Sequence, residues 1–452
     1  MPLTQSPEKF RSELIEILRK LVSYKSVNIP SKDQKLTKDC PAFIVEYLQE
    51  KGIDANLFED DGYYSVYGKI GSGKFHLLLM AHFDVVPVGS NWDTDPFELV
   101  IKNDKIAYGR GVIDNKNNIS SFMKILPAIA ELDLGDNMTV CFDFSGDEEI
   151  GGIHGSGNYL KKFKRYPDAV INADGAGTVI ISRRRNAMGA KISIPKQPAK
   201  AKGKIAEKHF ESWQYGRHSA YQNRGSDVHC LIRSSVETDF NDWKVVDCQG
   251  SFIKGNVVPD DCKLTVIEPD GSASEEHTYD QGLTTLIKKL RFLVRTQFPT
   301  EFSTYGITIG PNILTKQKNS WEIQLDIRAM TQQYTQVEKA LRRMTDELYG
   351  EKNYTLEFKP GQGMVNTPKN SLLIQTALEV SKEFGFPEEI VEMGGASDAR
   401  YFSREGIPTF DFGPIGGGVH AKNEWLNLDS FVTVTKYYYT LIQTLLEKIK
   451  RK

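Results

Sequence analysis

The sequence lacks long apolar runs and an excess of charge of either sign. None of its apolar segments approaches the roughly 20 consecutive residues that a transmembrane helix needs. The first residues, MPLTQSPEKF, are polar and contain no apolar core of the kind found in secretory signal peptides. The formal net charge is −2 at pH 7, which provides no overall attraction to nucleic acid or to an acidic membrane surface. We therefore expect a soluble, cytoplasmic protein that binds neither nucleic acid nor membranes.

Cysteine is scarce in this chain. There are five cysteines in 452 residues, and none of them forms a C-x-x-C pair: Cys40, Cys141, Cys230, Cys248 and Cys262. An odd, scattered set of this kind is not typical of a disulfide framework or of a zinc-thiolate site. The cysteines are therefore predicted to be reduced thiols, and any metal must be bound by other side chains.

The length predicts more than one domain, because single cores rarely grow beyond about 250–300 residues. Residues 1–182 alternate helical patterns with short apolar strands such as FHLLLMAHFD and MTVCFDF, and this texture returns in residues 367–452. Such strands separated by helices predict an α/β domain with a mostly parallel sheet. Residues 183–366 contain strands such as WEIQLDIRAM between helices, which predict an inserted α+β domain.

Two basic segments could be mistaken for binding sites. Residues 68–75, GKIGSGKF, match the start of a phosphate-binding loop, but Phe75 replaces the required Ser or Thr and a strand follows. We predict a turn between two strands there. The three arginines at 183–185 are interpreted as a solvated edge at a hinge rather than as a site for an anionic substrate. The second half of the basic stretch 182–210 is poor in apolar residues and predicts an exposed loop.

Histidines and carboxylates stand at the ends of the apolar strands or just beyond them, where open α/β sheets bind ligands. His82 ends the strand LLLMAH, and Asp84 follows on the same face of the extended chain. A carboxylate beside a histidine is the usual partner that orients a metal-binding ring. Further candidates occupy similar positions along the chain: Asp114, the acidic cluster Asp147, Glu148 and Glu149, then Asp174 and His420.

The acidic cluster, in DFSGDEEIGG, places three carboxylates side by side. Each of them raises the free-energy cost of ionising its neighbours, unless a cation offsets the repulsion. Histidine and carboxylate ligands without cysteine suit zinc, cobalt or manganese. The number of candidates is sufficient for two metal ions that share a bridging carboxylate.

Five motifs occur in the order typical of a known family: HFDVVP, GRGVIDNK, GDEEIGG, NADG and GGASDARYF with GPIGGGVHAKNEW. They resemble the dinuclear-zinc peptidase and deacylase family, which includes acetylornithine deacetylase, succinyl-diaminopimelate desuccinylase, aminoacylase, carboxypeptidase G and carnosinase-type dipeptidases. The resemblance covers both halves of the sheet domain and is looser in the inserted segment. It implies a zinc-peptidase-like α/β domain, an inserted lid or dimerisation domain, and amide hydrolysis.

The resemblance implies two divalent metal ions, with Zn²⁺ favoured and Co²⁺ or Mn²⁺ as alternatives. Its ligands would be divided between the two ions: His82 and Asp174 on the first, Glu149 and His420 on the second, and Asp114 bridging both. Asp84 would orient His82, and Glu148 would act as the general base. Asp147 has no role in the family pattern and is interpreted as a turn residue.

In the inserted domain the resemblance implies residues that bind substrate. His218, in GRHSAYQNRGSDVH, would help to hold the oxyanion, although a surface histidine that begins a helix is the alternative. Arg328, in LDIRAM, would bind a substrate carboxylate bidentately, and Arg400 is a second candidate for this role. The family's asparagine has two candidates, of which Asn312 is closer to the arginine and is favoured, while Asn256 matches the local motif better.

The predicted substrate is a small N-acyl amino acid that is cleaved at one amide bond, as in the acetylornithine and succinyl-diaminopimelate deacylases. Asp rather than Glu at position 174 resembles the aminopeptidase and dipeptidase branch, so a dipeptide is the alternative. The resemblance also allows a homodimer formed through the inserted domain. A non-catalytic binding protein is disfavoured by the complete ligand set and Glu148, and a barrel-type cyclic amidohydrolase is disfavoured by the motif order.

Overall fold

A computed structural model of the protein describes residues 6–28, 37–213, 218–221, 229–270 and 275–451. Two units are distinguished by their internal contacts: residues 1–183, 365–392 and 397–452 belong to the first, and residues 184–364 and 393–396 to the second. We call them the sheet unit and the inserted unit. Within the described ranges, no helix combines the length and the apolar character needed to cross a membrane.

The described residues contain ten α-helices, which are, in chain order, α1 (Pro7–Ser23), α2 (Asp39–Glu50), α3 (Lys116–Ala130), α4 (Tyr159–Phe163), α5 (Cys230–Phe240), α6 (Gln281–Leu293), α7 (Tyr334–Tyr349), α8 (Leu372–Glu383), α9 (Arg400–Ser403) and α10 (Leu428–Lys450). Several begin with a side-chain cap. Ser6 accepts from Lys9 N at α1, Ser371 from Ile374 N at α8, and Asn427 from Ser430 N at α10. These caps satisfy amides that have no partner within the helix.

The strands of the first half are β1 (Ala55–Asp60), β2 (Tyr63–Ile70), β3 (Phe75–His82), β4 (Val100–Lys102), β5 (Ile106–Tyr108), β6 (Met138–Ser145), β7 (Ala169–Asn172), β8 (Ile180–Arg184), β9 (Asn186–Pro195) and β10 (Pro198–Glu211). The later strands are β11 (Lys244–Gly250), β12 (Asp261–Pro269), β13 (Glu276–Asp280), β14 (Thr308–Lys316), β15 (Ser320–Ala329), β16 (Thr355–Lys359), β17 (Val365–Asn366), β18 (Ile390–Met393), β19 (Thr409–Asp411), β20 (Gly416–Gly417) and β21 (Trp425–Asn427).

The sheet unit is built on a nine-stranded sheet. Eight strands lie in the order β1-β2-β6-β3-β7-β19-β8-β17, and the ninth, β18, pairs with β8. Strands β6, β3, β7 and β19 are parallel neighbours, whereas β1, β2 and β8 pair antiparallel. The predicted parallel sheet is therefore confirmed for its centre, and antiparallel strands flank that centre on both sides. The turn predicted at GKIGSGKF is also confirmed, since it joins β2 to β3.

Strand β3 is almost uniformly apolar because both faces of the sheet are covered. Leu77 and Leu79 lie in the large core formed with α2, α3, α8 and α10, while Leu78 and Met80 lie in a smaller core on the opposite face. Successive side chains of a strand point to opposite faces, so a strand that is covered on both sides has no polar positions in its interior. This accounts for the continuous apolar runs by which the sequence revealed the sheet.

The parallel strands bring His82, the acidic cluster and Asp174 to one edge of the sheet. His82 is the last residue of β3 and is paired with Ser145, the last residue of β6. Strand β7 ends at Asn172, two residues before Asp174. Because parallel neighbours end at the same edge, the histidine, the acidic cluster after β6 and Asp174 emerge side by side.

The inserted unit contains two four-stranded sheets, with the orders β11-β12-β10-β13 and β14-β15-β9-β16. Helices α5, α6 and α7 contribute to a shared core with these sheets, in which Trp321, Leu290 and Val337 are fully or almost fully buried. The α+β character predicted for this part of the chain is thus observed within the unit itself.

Two interpretations of the basic stretch are wrong. The predicted exposed loop is the 14-residue strand β10, which pairs with both β12 and β13. Its lysines alternate with small residues, because one face of the strand is largely solvated. The sequence therefore lacks the alternation of apolar and polar residues that normally indicates a strand. Arg184 and Arg185 are buried rather than solvated. The Arg185 guanidinium donates to Thr308 Oγ1 and to the Ala220 carbonyl, which offsets its desolvation.

We predict that Asp143 stabilises the sheet unit by neutralising Lys162. The Lys162 Nζ lies 2.6 and 2.7 Å from the two Asp143 carboxylate oxygens, and both side chains are buried. Asp143→Asn should lower the free energy of unfolding by about 3 kcal/mol, because it leaves a buried ammonium without its counter-charge. The midpoint of thermal unfolding measures this effect. The double variant Asp143→Leu, Lys162→Met should recover much of the loss, and an unchanged midpoint for Asp143→Asn would contradict the prediction.

Candidate metal centre

Asp114 lies between two histidines from distant parts of the sheet unit. Its Oδ1 is 2.9 Å from Nε2 of His82, and its Oδ2 is 3.0 Å from Nε2 of His420. Each oxygen of one carboxylate therefore faces a different imidazole. This is the arrangement expected of a carboxylate that bridges two cations.

Two three-residue clusters share this carboxylate. His82, Asp114 and Asp174 form one, and Asp114, Glu149 and His420 form the other; within each cluster one ligand atom per residue lies within 4.8 Å of the others. Nε2 of His82 is 3.9 Å from Oδ1 of Asp174. Nε2 of His420 is 3.0 Å from Oε2 of Glu149. The structure thus brings together all five residues predicted as metal ligands.

The chemistry of the five residues fits a pair of divalent cations. Each cluster offers imidazole nitrogen and carboxylate oxygen and no thiolate, a donor set suited to zinc, cobalt or manganese. Burial raises the pKa of Glu149, and the negative charge of Asp114 raises it further. Such crowding of negative charge is what a divalent cation would neutralise.

The surrounding carboxylates raise the pKa of both histidines. Burial alone would lower the pKa of His82, but hydrogen bonds to Asp114 and Asp84 hold it well above its usual range. Burial also opposes protonation of His420, whose hydrogen bonds to Asp114 and Glu149 nevertheless raise its pKa to about 11. For Asp114, burial is outweighed by its hydrogen bonds to the two histidines, which lower its pKa. The carboxylates that raise these pKa values are the same groups that are expected to bind cations.

Asp84 orients His82 and also holds the acidic turn, the segment that carries Asp147, Glu148 and Glu149. Nδ1 of His82 lies 3.0 Å from the Asp84 carbonyl oxygen and 3.3 Å from its Oδ1. The same carboxylate accepts from the backbone amides of Glu148, at 3.2 Å, and Glu149, at 3.1 Å. A single buried side chain thus orients the His82 ring and fixes the residues that carry the two glutamates.

Asn28 supports Asp84 and was not identified from the sequence. Its side-chain amide donates to Oδ2 of Asp84 at 2.7 Å and to the carbonyl of Gly146 at 2.8 Å. Asn28 follows the first helix in the unremarkable segment YKSVNIP, 56 residues before Asp84 in sequence. No local pattern could have indicated a contact over this separation.

Glu148 begins a short 3₁₀ turn, Glu148–Ile150, directly after β6. Burial raises the pKa of its carboxyl group well above the usual range, and the negative charges of Asp174 and Asp398 add to this effect. A raised pKa brings a carboxyl group closer to the range in which a general base can both accept and return a proton. This property suits the predicted general base.

The turn itself depends on Asp147 and on a glycine. The buried Asp147 carboxylate accepts from the amides of His154, at 2.7 Å, and Gly155, at 3.0 Å, in agreement with its interpretation as a turn residue. Gly152 has φ +65°, and a Cβ at this position would lie 2.2 Å from Oδ1 of Asp398. The backbone conformation favours glycine there, and the space beside Asp398 leaves little room for any other residue.

Arg400 is buried within the sheet unit and contacts its own chain. Its Nη2 lies 3.1 Å from Oδ1 of Asp398 and donates to the Gly151 carbonyl at 2.9 Å. The guanidinium therefore stabilises the end of the acidic turn. Its predicted contact with a substrate carboxylate stays a prediction.

His218 and Asn256 are neighbours in the inserted unit. Nδ1 of His218 accepts from the Ala220 amide at 3.0 Å, and its Nε2 lies 3.2 Å from Nδ2 of Asn256. His218 pairs with Val257 in an isolated β-bridge. Within the predicted lid segment, residues 216, 217 and 222–228 lie outside the described residues.

Asn312 and Arg328 occupy two neighbouring strands of the inserted unit. The Asn312 side chain is buried and donates at 2.6 Å to the carbonyl of Gly255, the residue before Asn256. Nε of Arg328 lies 3.0 and 3.1 Å from the two oxygens of Asp326. Asp326 also accepts from the hydroxyl of Ser219, the residue after His218.

Comparison with known proteins identifies one family. The model of peptidase family M20/M25/M40 matches residues 78–444. The succinyl-diaminopimelate desuccinylase of a Nitratiruptor species is 24% identical over 426 residues, covering 91% of this chain and 94% of that protein. The predicted membership of the peptidase and deacylase family is thereby confirmed.

Solved structures show the same fold. The aminoacylhistidine dipeptidase from Vibrio alginolyticus matches with a TM-score of 0.69 at 16% identity, covering 99% of this chain and 98% of that chain. The M20 family metallo-carboxypeptidase Sso-CP2 from Sulfolobus solfataricus matches with a TM-score of 0.63 at 19% identity, covering 96% and 99%. The predicted fold class, an α/β sheet domain with an inserted α+β domain, is confirmed.

Metal binding is predicted to release protons at pH 7. The surrounding carboxylates raise the pKa of His82 well above its usual range and that of His420 to about 11, and a histidine must be neutral to bind a cation. Addition of Zn²⁺ should therefore release protons, and the apparent affinity should rise with pH. Calorimetric titration in two buffers of different ionisation enthalpy gives the number of protons that are released. His420→Gln should release fewer protons, while the exposed control His209→Gln should match the wild type; binding without proton release would contradict the account.

Proposed function

The chain belongs to peptidase family M20/M25/M40, and we propose that it hydrolyses one amide bond of a small N-acyl amino acid at the candidate metal centre. Membership makes the protein a hydrolase. The observation that carries the proposal is the position of Asp114, with one carboxylate oxygen against His82 and the other against His420. Glu148 stands beside this centre on the turn after β6.

The residues proposed to hold the two cations are those of the two clusters: His82 and Asp174 on one side, Glu149 and His420 on the other, and Asp114 between them. Divalent cations held there supply Lewis-acid polarisation of a carbonyl group and lower the pKa of water towards about 7. Zn²⁺ is the proposed metal, with Co²⁺ or Mn²⁺ as alternatives. Asp84 keeps the His82 ring oriented through its Nδ1.

Glu148 is proposed as the general base. Its carboxylate would take a proton from the attacking water and then return it to the nitrogen of the leaving group. One contact and the burial of the side chain prepare Glu148 for this role. The Asp84 carboxylate fixes its backbone amide, and burial raises its pKa towards the range in which a proton can be both accepted and released.

The preference for an N-acyl amino acid is supported by the desuccinylase relative and by the motif GGASDARYF. Such substrates carry a carboxylate, for which Arg328 is the proposed partner, since its contact with Asp326 orients the guanidinium. Arg400, which is paired with Asp398 much as Arg328 is paired with Asp326, is the second candidate. The roles of His218 and Asn312 and a homodimer through the inserted unit stay predictions.

A dipeptide is the second candidate substrate. Asp174 rather than glutamate is the observation that favours it, because this choice resembles the aminopeptidase and dipeptidase branch. A free amino group of a dipeptide would suit a carboxylate at that cation. Both candidates require the same centre and the same base, and they differ only in the group on the acyl side of the cleaved bond.

Glu148→Gln is predicted to reduce turnover by about 10²–10⁴-fold, because the amide cannot accept a proton from water. Metal content should remain as in the wild type, since Glu148 is not among the cluster residues. Elemental analysis and a hydrolysis assay measure the two properties. Glu131→Gln, at an exposed glutamate after α3, is the matched control and should behave as wild type. Full activity of the Glu148 variant would show that another residue is the general base.

The substrate class is decided by a hydrolysis screen of the metal-loaded protein. N-acetyl-ornithine, N-succinyl-diaminopimelate, other N-acyl amino acids and unblocked dipeptides are compared by kcat/KM. We expect the highest value for an N-acyl amino acid. Cleavage of dipeptides alone would establish the second candidate and reject the first.

A further inference from the structure

Glu424, four residues after His420, is completely buried and contacts the segment that carries Asp114. Its Oε1 accepts from the amides of Ile113, at 2.9 Å, and Asp114, at 3.1 Å. Its Oε2 accepts from the amide of Gly111 at 3.0 Å and from Nη1 of Arg110 at 2.7 Å. A buried carboxylate is costly unless it is hydrogen-bonded, and this one is satisfied by four donors.

Three of these donors are amides of one short segment, which therefore curves around the carboxylate. Gly111 makes the curve possible, since it has φ +86° and a Cβ there would lie 3.0 Å from both Lys116 and Val85. The amide of Asp114 belongs to the residue whose side chain faces both histidines. The position of the bridging carboxylate is thus fixed through its own backbone.

Arg110 extends the arrangement to the segment that carries His420. Its Nη2 donates to the Ala421 carbonyl at 3.1 Å, and the Gly109 amide donates to the Glu424 carbonyl at 3.2 Å. The Arg110–Glu424 pair is buried on both sides. Two segments about 310 residues apart in sequence are therefore joined. The contacts lie within five residues of Asp114 in one segment and within four residues of His420 in the other.

We propose that Glu424, together with Arg110, is a positioning residue that sets the separation between Asp114 and His420 before any cation binds. Glu424 is not among the cluster residues and would not contact the cations. The inference rests on the proposed metal-dependent function. It adds a residue that fixes the geometry of the metal ligands. A purely stabilising ion pair would alter unfolding without altering metal affinity, which allows the two roles to be separated.

Hydrogen exchange of the wild-type protein, freed of metal with a chelator, tests whether the segment is held in advance. The amides of Gly111, Ile113 and Asp114 should be protected, because Glu424 accepts all three. Rapid exchange at these amides in the folded, metal-free protein would overturn the proposal. This measurement requires no variant.

Glu424→Asp tests the effect on metal binding without a change of charge. The side chain is shorter by one methylene and cannot reach all of its donors, so the affinity for Zn²⁺, measured by competition with a chromophoric chelator, should fall about 10- to 100-fold. Arg110→Lys, which also keeps the charge, should weaken binding in the same direction. Asp143→Asn, which alters a buried ion pair without contact to Glu424 or Arg110, should lower stability and leave Zn²⁺ affinity unchanged.

The outcomes separate this inference from the proposed function. If the wild type binds two Zn²⁺ ions and Glu424→Asp binds them equally tightly, the positioning role is rejected and the hydrolase proposal stands. If the wild type itself binds no pair of ions, the metal centre and the positioning role both fail. If Glu424→Asp does not fold, Arg110→Lys and the exchange measurement decide, and wild-type affinity for Arg110→Lys would reject the role.

Discussion

The Asp114 carboxylate, placed between His82 and His420, is the contact on which the rest of the candidate site depends. One carboxylate can serve two clusters only if both of its oxygens are directed correctly. This requirement explains why so many buried polar groups surround it. The parallel strands β3, β6 and β7 bring His82, Glu149 and Asp174 to a common edge, while Asp114 follows β5 and His420 lies between β20 and β21.

Backbone hydrogen bonds to buried carboxylates hold the site together. Asp84 accepts the amides of Glu148 and Glu149, Asp147 accepts those of His154 and Gly155, and Glu424 accepts those of Gly111, Ile113 and Asp114. In each case a side chain fixes the backbone of a loop that would otherwise be held only at its two ends. The ligands can therefore be rigid although they stand on loops.

Sequence patterns predicted those parts of the molecule that local chemistry determines. Continuous apolar strands predicted the sheet because both of its faces are buried, and residues at strand ends predicted the clusters. The long strand β10 was missed because its alternating lysines are solvated on one face, and the burial of Arg185 was missed because its partners Thr308 and Ala220 are distant in sequence. Asn28 and Glu424 were missed for the same reason. Glu424 lay inside the quoted motif HAKNEW, but the motif alone gives no partner for it.

A diffraction experiment on Zn²⁺-loaded crystals, with anomalous data collected at the zinc edge, tests the two-cation centre most directly. The account predicts two peaks about 3.5–4 Å apart, one beside His82 and Asp174 and the other beside Glu149 and His420, with an Asp114 oxygen on each. A single peak, or two peaks without a contact to Asp114, would contradict it.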